Sequence, residues 1–170
     1  MKTIEEYKQQ LLVRKISDGV VIDGLHPGTA FLALKLLKLD YENPDRKQSI
    51  LPIMHVYSEK FNRWKDMLKL EGGEDLISFV EQQSGYLALI SENDVRINCI
   101  KDWEIIKKFT PEIPGELEGI LNCSNMKCVT NREKNVATLF AISQNGRGYE
   151  AKCVFCDNYM DKTQIRKNIA

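Results

Sequence analysis

No stretch of this chain reaches the run of apolar residues that a membrane-spanning helix requires. The opening segment MKTIEEYKQQLL is charged and amphipathic, and it lacks the unbroken apolar core of a secretory leader. Neither sign of charge is in excess, with 24 Lys+Arg against 24 Asp+Glu. That balance argues against a general nucleic-acid or membrane-surface binder, which carries a basic surplus. There are only two histidines, His26 and His55, in unrelated contexts. No Gly-rich phosphate loop, nucleophile elbow or HExxH motif is present. These absences argue against secretion, membrane insertion and the common motif-bearing catalytic chemistries. The expectation they leave is a cytoplasmic protein in which no catalytic constellation is visible.

Four of the five cysteines carry the strongest positive signal. They read Cys123-Ser-Asn-Met-Lys-Cys128 and, after 24 intervening residues, Cys153-Val-Phe-Cys156. Two close pairs joined by a strand hairpin have metal-knuckle spacing: each pair curls its backbone so that two sulfurs face one point. A closed set of four thiolates suits one structural Zn²⁺ and leaves no open position for water or substrate. Iron in a tetrathiolate site is the minor competitor. Two disulfides would need an oxidising compartment, to which nothing here points. Cys99, alone in Val95-Arg-Ile-Asn-Cys-Ile100, reads as a small buried hydrophobe in a strand.

The segment Phe109-Thr-Pro-Glu-Ile-Pro-Gly-Glu116 places two prolines and a glycine together, so regular structure should stop there. The expected division is a domain over residues 1–113, with residues 1–10 as an extension, and a small metal-built domain over 114–170. In the first, Leu11–Ile16 and Val20–Ile22 read as extended around a Ser17-Asp-Gly19 turn. Pro27 is placed to open an amphipathic helix over Thr29–Leu39, with Ala30, Phe31, Ala33, Leu34 and Leu37 at helical spacing. Ile50–Tyr57 and Lys65–Glu71 read as strands, with Pro52 favouring an edge or a strand start. Glu74–Gln83 reads as a helix with Leu76, Ile77, Phe79 and Val80 inward. Val95–Ile100 and Trp103–Phe109 read as strands. This order predicts an α+β, ferredoxin-like antiparallel sheet with two helices on one face, followed by a zinc-ribbon β domain. The free face or an edge strand would then be open to a partner chain.

Strand alternation puts Lys65, Met67 and Lys69 on one face. If Lys69 and the Lys107-Lys108 pair converge on the same sheet surface, they make an anion site. Taken together, Val13-Arg-Lys-Ile-Ser-Asp-Gly-Val-Val-Ile-Asp23, Phe31…Leu39, Lys65–Glu71, Arg96-Ile-Asn98 and the wide first cysteine pair resemble the regulatory chain of aspartate carbamoyltransferase. The resemblance covers nearly the whole chain after about residue 10. It implies a non-catalytic subunit whose N-terminal domain binds the nucleotide effectors CTP and ATP and forms a homodimer through its sheet. It also implies a zinc domain that docks on the catalytic chain, giving allosteric control of pyrimidine biosynthesis. The implied nucleotide site is Val13 and Ile16 at the base edge, Asp23 at the ribose, and Lys69, Asn98, Trp103, Ile105 and Lys108. The implied metal ligands are Cys123, Cys128, Cys153 and Cys156.

The chain departs from the family pattern at Gly24, where a histidine is usual, and the next histidine is His26. Weaker or altered nucleotide regulation is the expectation. Ser124–Lys127 and Asp157 change the residues flanking the cysteines, so docking should persist with altered pairing. The alternative is a stand-alone zinc-ribbon protein that binds nucleic acid. Against it, residues 115–170 carry eight Lys/Arg and six Asp/Glu. That small surplus vanishes once four thiolates and a Zn²⁺ are counted, leaving little field to grip a phosphate backbone.

Overall fold

The computed structural model describes residues 15–170, except 44, 46, 61, 146 and 147 and the side chains of 92–94 and 145. The expected strand over 11–16 therefore lies largely outside the described residues, as do Val13 and the extension over residues 1–10.

The elements begin with β1 (Gly19–Leu25), α1 (Ala30–Leu36), β2 (Ile50–Ser58), β3 (Arg63–Glu71) and α2 (Glu74–Gln83). A 3-10 helix (Ser84–Ile90), β4 (Ser91–Lys101) and β5 (Glu104–Phe109) follow. These strands form one antiparallel sheet in the order β2-β3-β1-β4-β5. The first four strands with their two helices give the expected ferredoxin-like arrangement, to which β5 is added at one edge. Pro52 lies in β2, an edge strand, where a missing N–H costs no interior ladder bond.

Alternation sorts the sheet into two faces. Val20 and Ile22 of β1, Leu68 and Leu70 of β3, and Val95, Ile97 and Cys99 of β4 are buried. They belong to one core with Ala33, Leu34 and Leu37 around α1 and Ile77 and Val80 of α2. Gly19 starts β1 at φ 138, and a Cβ there would lie 2.0 Å from the Leu70 carbonyl oxygen, so only glycine fits. Cys99 is buried in its strand, and burial leads the upward shift of its thiol.

Several local expectations are corrected. Pro27 does not open α1; it sits in a turn before Thr29, and the helix begins at Ala30. Thr29 bonds its hydroxyl back to the His26 carbonyl, 2.7 Å, so the turn rather than the proline sets the start. The helix is shorter than expected because Lys38 takes a left-handed backbone at φ 52. Phe31 faces outward against Tyr41, with ring centroids 6.0 Å apart, instead of joining the core. Ser84–Ile90, an apolar run without clear periodicity, packs as a 3-10 helix under the sheet.

Beyond Pro111-Glu-Ile-Pro114, a second antiparallel sheet runs β6 (Glu116–Glu118), β7 (Leu139–Asn145), β8 (Gly148–Cys153) and β9 (Tyr159–Met160). Two short helices accompany it, α3 (Val129–Arg132) and α4 (Lys162–Lys167). Helix α4 starts with a capping box in which Asp161 Oδ1 accepts from the Gln164 N–H at 2.8 Å and Gln164 Oε1 accepts from the Asp161 N–H at 3.1 Å. Among the described residues, no helix is long and apolar enough to cross a membrane.

Candidate metal centre and outer-face pocket

Each cysteine pair is shaped by its own backbone. In the first, the Cys128 N–H donates to the Asn125 carbonyl at 2.9 Å, closing a turn. Asn131 Nδ2 donates to the carbonyls of Cys123 and Asn125, both at 2.8 Å, tying the loop to α3. In the second, the Asp157 N–H donates back to the Cys153 carbonyl at 2.9 Å, with Asp157 at φ 54. The β7–β8 hairpin carries Cys153 to its end, facing the first loop. Asn158 Nδ2 donates to Ser124 Oγ at 2.8 Å, joining the two knuckles.

The four sulfurs lie within 4.8 Å of one another. Cys123–Cys156 and Cys128–Cys153 are separated by 3.6 and 3.8 Å. A tetrahedral ion with metal–sulfur bonds of about 2.3 Å requires sulfur–sulfur edges of about 3.8 Å. A disulfide would require about 2 Å, and all the cysteines are free. The arrangement therefore fits one structural metal ion and is of the kind that holds Zn²⁺. Burial is the largest influence on Cys123 and Cys153 and pushes both thiols up. Burial also acts upward on Cys128, but the Thr130 hydroxyl, donating at 3.2 Å, and its neighbouring thiols bring it down to about 7. A cation is what makes four thiolates tolerable at one point.

On the N-terminal sheet, the face away from the helices bears a second arrangement. Lys69 of β3 stands opposite Val21 of β1, Val21 opposite Asn98 of β4, and Asn98 opposite Lys108 of β5. These four residues form one row across four strands. Asn98 Nδ2 donates to the Val21 carbonyl at 3.3 Å. At one side of the row is a cavity of about 470 Å³, lined by Ile16, Lys69, Asn98, Trp103 and Ile105, with Lys15, Val21, Met67 and Ile100. Trp103 is held at its wall by a left-handed backbone, φ 70, and by its N–H donating to the Ser17 carbonyl at 2.9 Å. Its indole is 59 % exposed, a surface suited to stacking a flat ring. Lys69 is only 8 % exposed, and loss of water lowers its pKa, with Glu71 pulling the other way.

The structure thus gathers Ile16, Lys69, Asn98, Trp103 and Ile105 around one cavity. Lys108 is in the row but outside the cavity wall. Asp23 lies one pleat along the same face, paired with Lys65 at 2.6 Å. Lys107 falls on the opposite face and binds Glu81 of α2 at 2.9 Å, so the two adjacent lysines do not converge. Lys65 and Arg96 were not among the expected site residues, yet they share the outer face. Their signal was parity: 65, 67 and 69 alternate together, as do 96 and 98. His26 lines a smaller cavity of about 270 Å³ with Gly24, Arg63 and Trp64, its Nδ1 3.0 Å from the Pro27 carbonyl. His55 is exposed at a bulge in β2, at φ 54.

Two family models match. That of the aspartate carbamoyltransferase regulatory chain, allosteric domain, covers residues 11–112, and that of the same chain's metal binding domain covers 115–166. Relatives carrying the name aspartate carbamoyltransferase regulatory chain include one from Methanocaldococcus jannaschii, 34 % identical over 91 % of this chain and 95 % of its own. Another, from Archaeoglobus fulgidus, is 35 % identical over 89 % of this chain and 99 % of its own. A third, from Metallosphaera sedula, is 33 % identical over 96 % and 98 %.

Proposed function

We propose, from the premise that this chain belongs to the family of aspartate carbamoyltransferase regulatory chains, that it binds CTP and ATP on the outer face of its N-terminal sheet and transmits that binding to the catalytic chains. It is a non-catalytic subunit, and its partner is the catalytic chain. The observation that carries the effector reading is the Lys69–Val21–Asn98–Lys108 row beside the Trp103 cavity. Trp103, Ile16 and Ile105 supply apolar walls for a base, and Asn98 and backbone groups supply its polar edge. Lys69 and Lys108, with Lys65 beyond, supply positive charge for a triphosphate. Asp23 accepts from the ribose. Val13 belongs to the same reading as a backbone contact to the base.

We read the chain as two domains that meet near 113/114, in line with the break between the matched regions. The zinc domain supplies the dock: Met126, Val129, Val154 and Phe155 are exposed apolar side chains in and around the loops that bear the metal ligands. A homodimer forms on the β2 side of the N-terminal sheet, where Phe31, Tyr41, Leu51 and Met54 are exposed. Effectors act only if they bind the two quaternary states with different affinity. The reading places the protein in the cytoplasm.

The test is reconstitution with catalytic trimers, with calorimetry for CTP and ATP on the protein and on Lys69→Ala and Lys108→Ala. Each substitution is expected to weaken nucleotide binding about tenfold or more, as loss of a charge-assisted bond does, with zinc content unchanged. Equal CTP affinity in all three proteins removes these lysines from the site. Given Gly24, effector responses weaker than those of a chain with histidine at that position are expected. Reconstituted kinetics with each nucleotide measures this.

A further inference from the structure

The start of β3 and the turn before α1 enclose a second cavity, of about 270 Å³, lined by Gly24, Leu25, His26, Pro27, Arg63 and Trp64. It shares no lining residue with the outer-face cavity. Arg63 opens β3, and Lys69 of the outer-face cavity lies six residues on, about 20 Å at a strand's rise. The Lys65–Asp23 ion pair stands between them along the strand. The two cavities are therefore separate sites.

Each wall is fixed by the chain itself. The register of β1 shifts between Asp23 and Leu25, and Gly24 takes φ 84 there, a bend that carries no side chain into the space. The His26 carbonyl accepts from the Thr29 N–H at 3.1 Å and from the Thr29 hydroxyl at 2.7 Å, which pins the turn. His26 Nδ1 faces the Pro27 carbonyl at 3.0 Å, which sets the ring. Trp64 stands opposite Tyr57 across β2 and β3, their rings edge to face with centroids 5.3 Å apart. The indole is thus held in one orientation, yet Trp64 remains 41 % exposed.

The lining sets the ligand. Leu25, Pro27 and the Trp64 indole are apolar, and the flat indole favours a planar ring against it. None of the lining residues is acidic. Arg63 brings a guanidinium with five N–H donors, enough to serve a partner in its own chain and an anion at once, and its planar fork matches a carboxylate. The volume falls below the range usual for drug-sized ligands, so it admits one ring with a small substituent and excludes a nucleoside triphosphate. A bare phosphate would leave the apolar walls without a partner.

We propose that this cavity binds a small flat-ring carboxylate, with the ring against Trp64, the carboxylate on Arg63 and His26 at the polar rim. The proposal does not rest on the effector reading above.

Trp64 and Trp103 are the two tryptophans of the chain. In full-length, zinc-loaded Trp103→Phe, emission comes from Trp64 alone, and it is titrated with benzoate, benzamide and pyrophosphate. Benzoate is expected to change that emission saturably, with a dissociation constant in the millimolar range or tighter. Benzamide has the ring without the charge and is expected to bind about tenfold or more weakly. Arg63→Gln is expected to reduce benzoate binding to the level of benzamide. In Trp64→Phe, where Trp103 reports, benzoate is expected to leave the emission unchanged. Ligand-observed NMR follows benzoate without a tryptophan signal, and by it Lys69→Ala is expected to bind benzoate as the parent does. The proposal is overturned by no saturable response to benzoate, by equal binding of benzoate and benzamide, or by undiminished binding in Arg63→Gln. Pyrophosphate binding that is tighter than benzoate binding and lost in Arg63→Gln also overturns it.

Discussion

Lys69 is an ammonium in a place that disfavours charge. Burial lowers its pKa below the ordinary 10.5, so the folded chain holds this proton less tightly than the unfolded chain. Between the lowered value and 10.5 the unfolded state carries more protons. The free protein therefore gains stability as pH rises through that window. Phosphate affinity runs the opposite way, because a neutral amine does not attract an anion. Calorimetry on the alkaline side of neutrality is expected to show CTP affinity declining at a lower pH than an ordinary lysine would give. Lys69→Arg is expected to remove most of that decline, because guanidinium stays charged. Ile16, Asn98 and Trp103, which line one cavity, were named by the resemblance to the regulatory-chain family. Alternation alone put Lys65 beside Lys69, whereas the register was needed to bring Val21 and Arg96 onto the same face as that pair.

At the scale of elements, Asp66 does the most connecting. It is fully buried, and its two carboxylate oxygens accept from the Ala30 N–H at 3.1 Å and the His55 N–H at 3.0 Å. One side chain of β3 thus satisfies the first turn of α1 and the bulge of β2. Asp66→Ala leaves two backbone donors short of an acceptor, with an expected loss of about 2–4 kcal/mol, read from urea or thermal unfolding. Asp66→Asn keeps an acceptor oxygen and is expected to lose less. The sequence carried no cue to this role, because the partners lie 36 and 11 residues away. By contrast, helix α2 was readable to its ends: Gly72-Gly73 precedes it, Glu74 and Asp75 occupy its first turn, and its apolar residues follow helical spacing.

At the scale of the molecule, the metal holds together what the second sheet cannot hold by itself. Its strands are short, β6 and β9 having three and two residues, and its core includes three of the four cysteines. Metal binding contributes roughly 10–16 kcal/mol of apparent free energy in small structural sites. Cys153→Ser, or exhaustive chelation, is expected to unfold residues 114–170 and abolish docking on the catalytic chain. The first sheet is expected to stay folded on its own buried face. Hydrogen exchange read by mass spectrometry separates the two regions. Full assembly of the Cys153→Ser protein with catalytic chains would contradict a structural role for the metal.

Local chemistry written into the chain determined the cysteine spacing, the proline-marked break, the alternation that makes two-faced strands and the helix over 74–83. Each depends on residues a few positions apart, where backbone geometry alone sets what faces what. Only the tertiary structure decided that Lys69 and Lys108 fall in one row, and that Tyr149 and Arg166 donate to the Leu89 and Ser91 carbonyls. Those outcomes depend on strand register and on the docking of one sheet against another. Both come from the burial of apolar surface over the whole chain, which no short segment encodes.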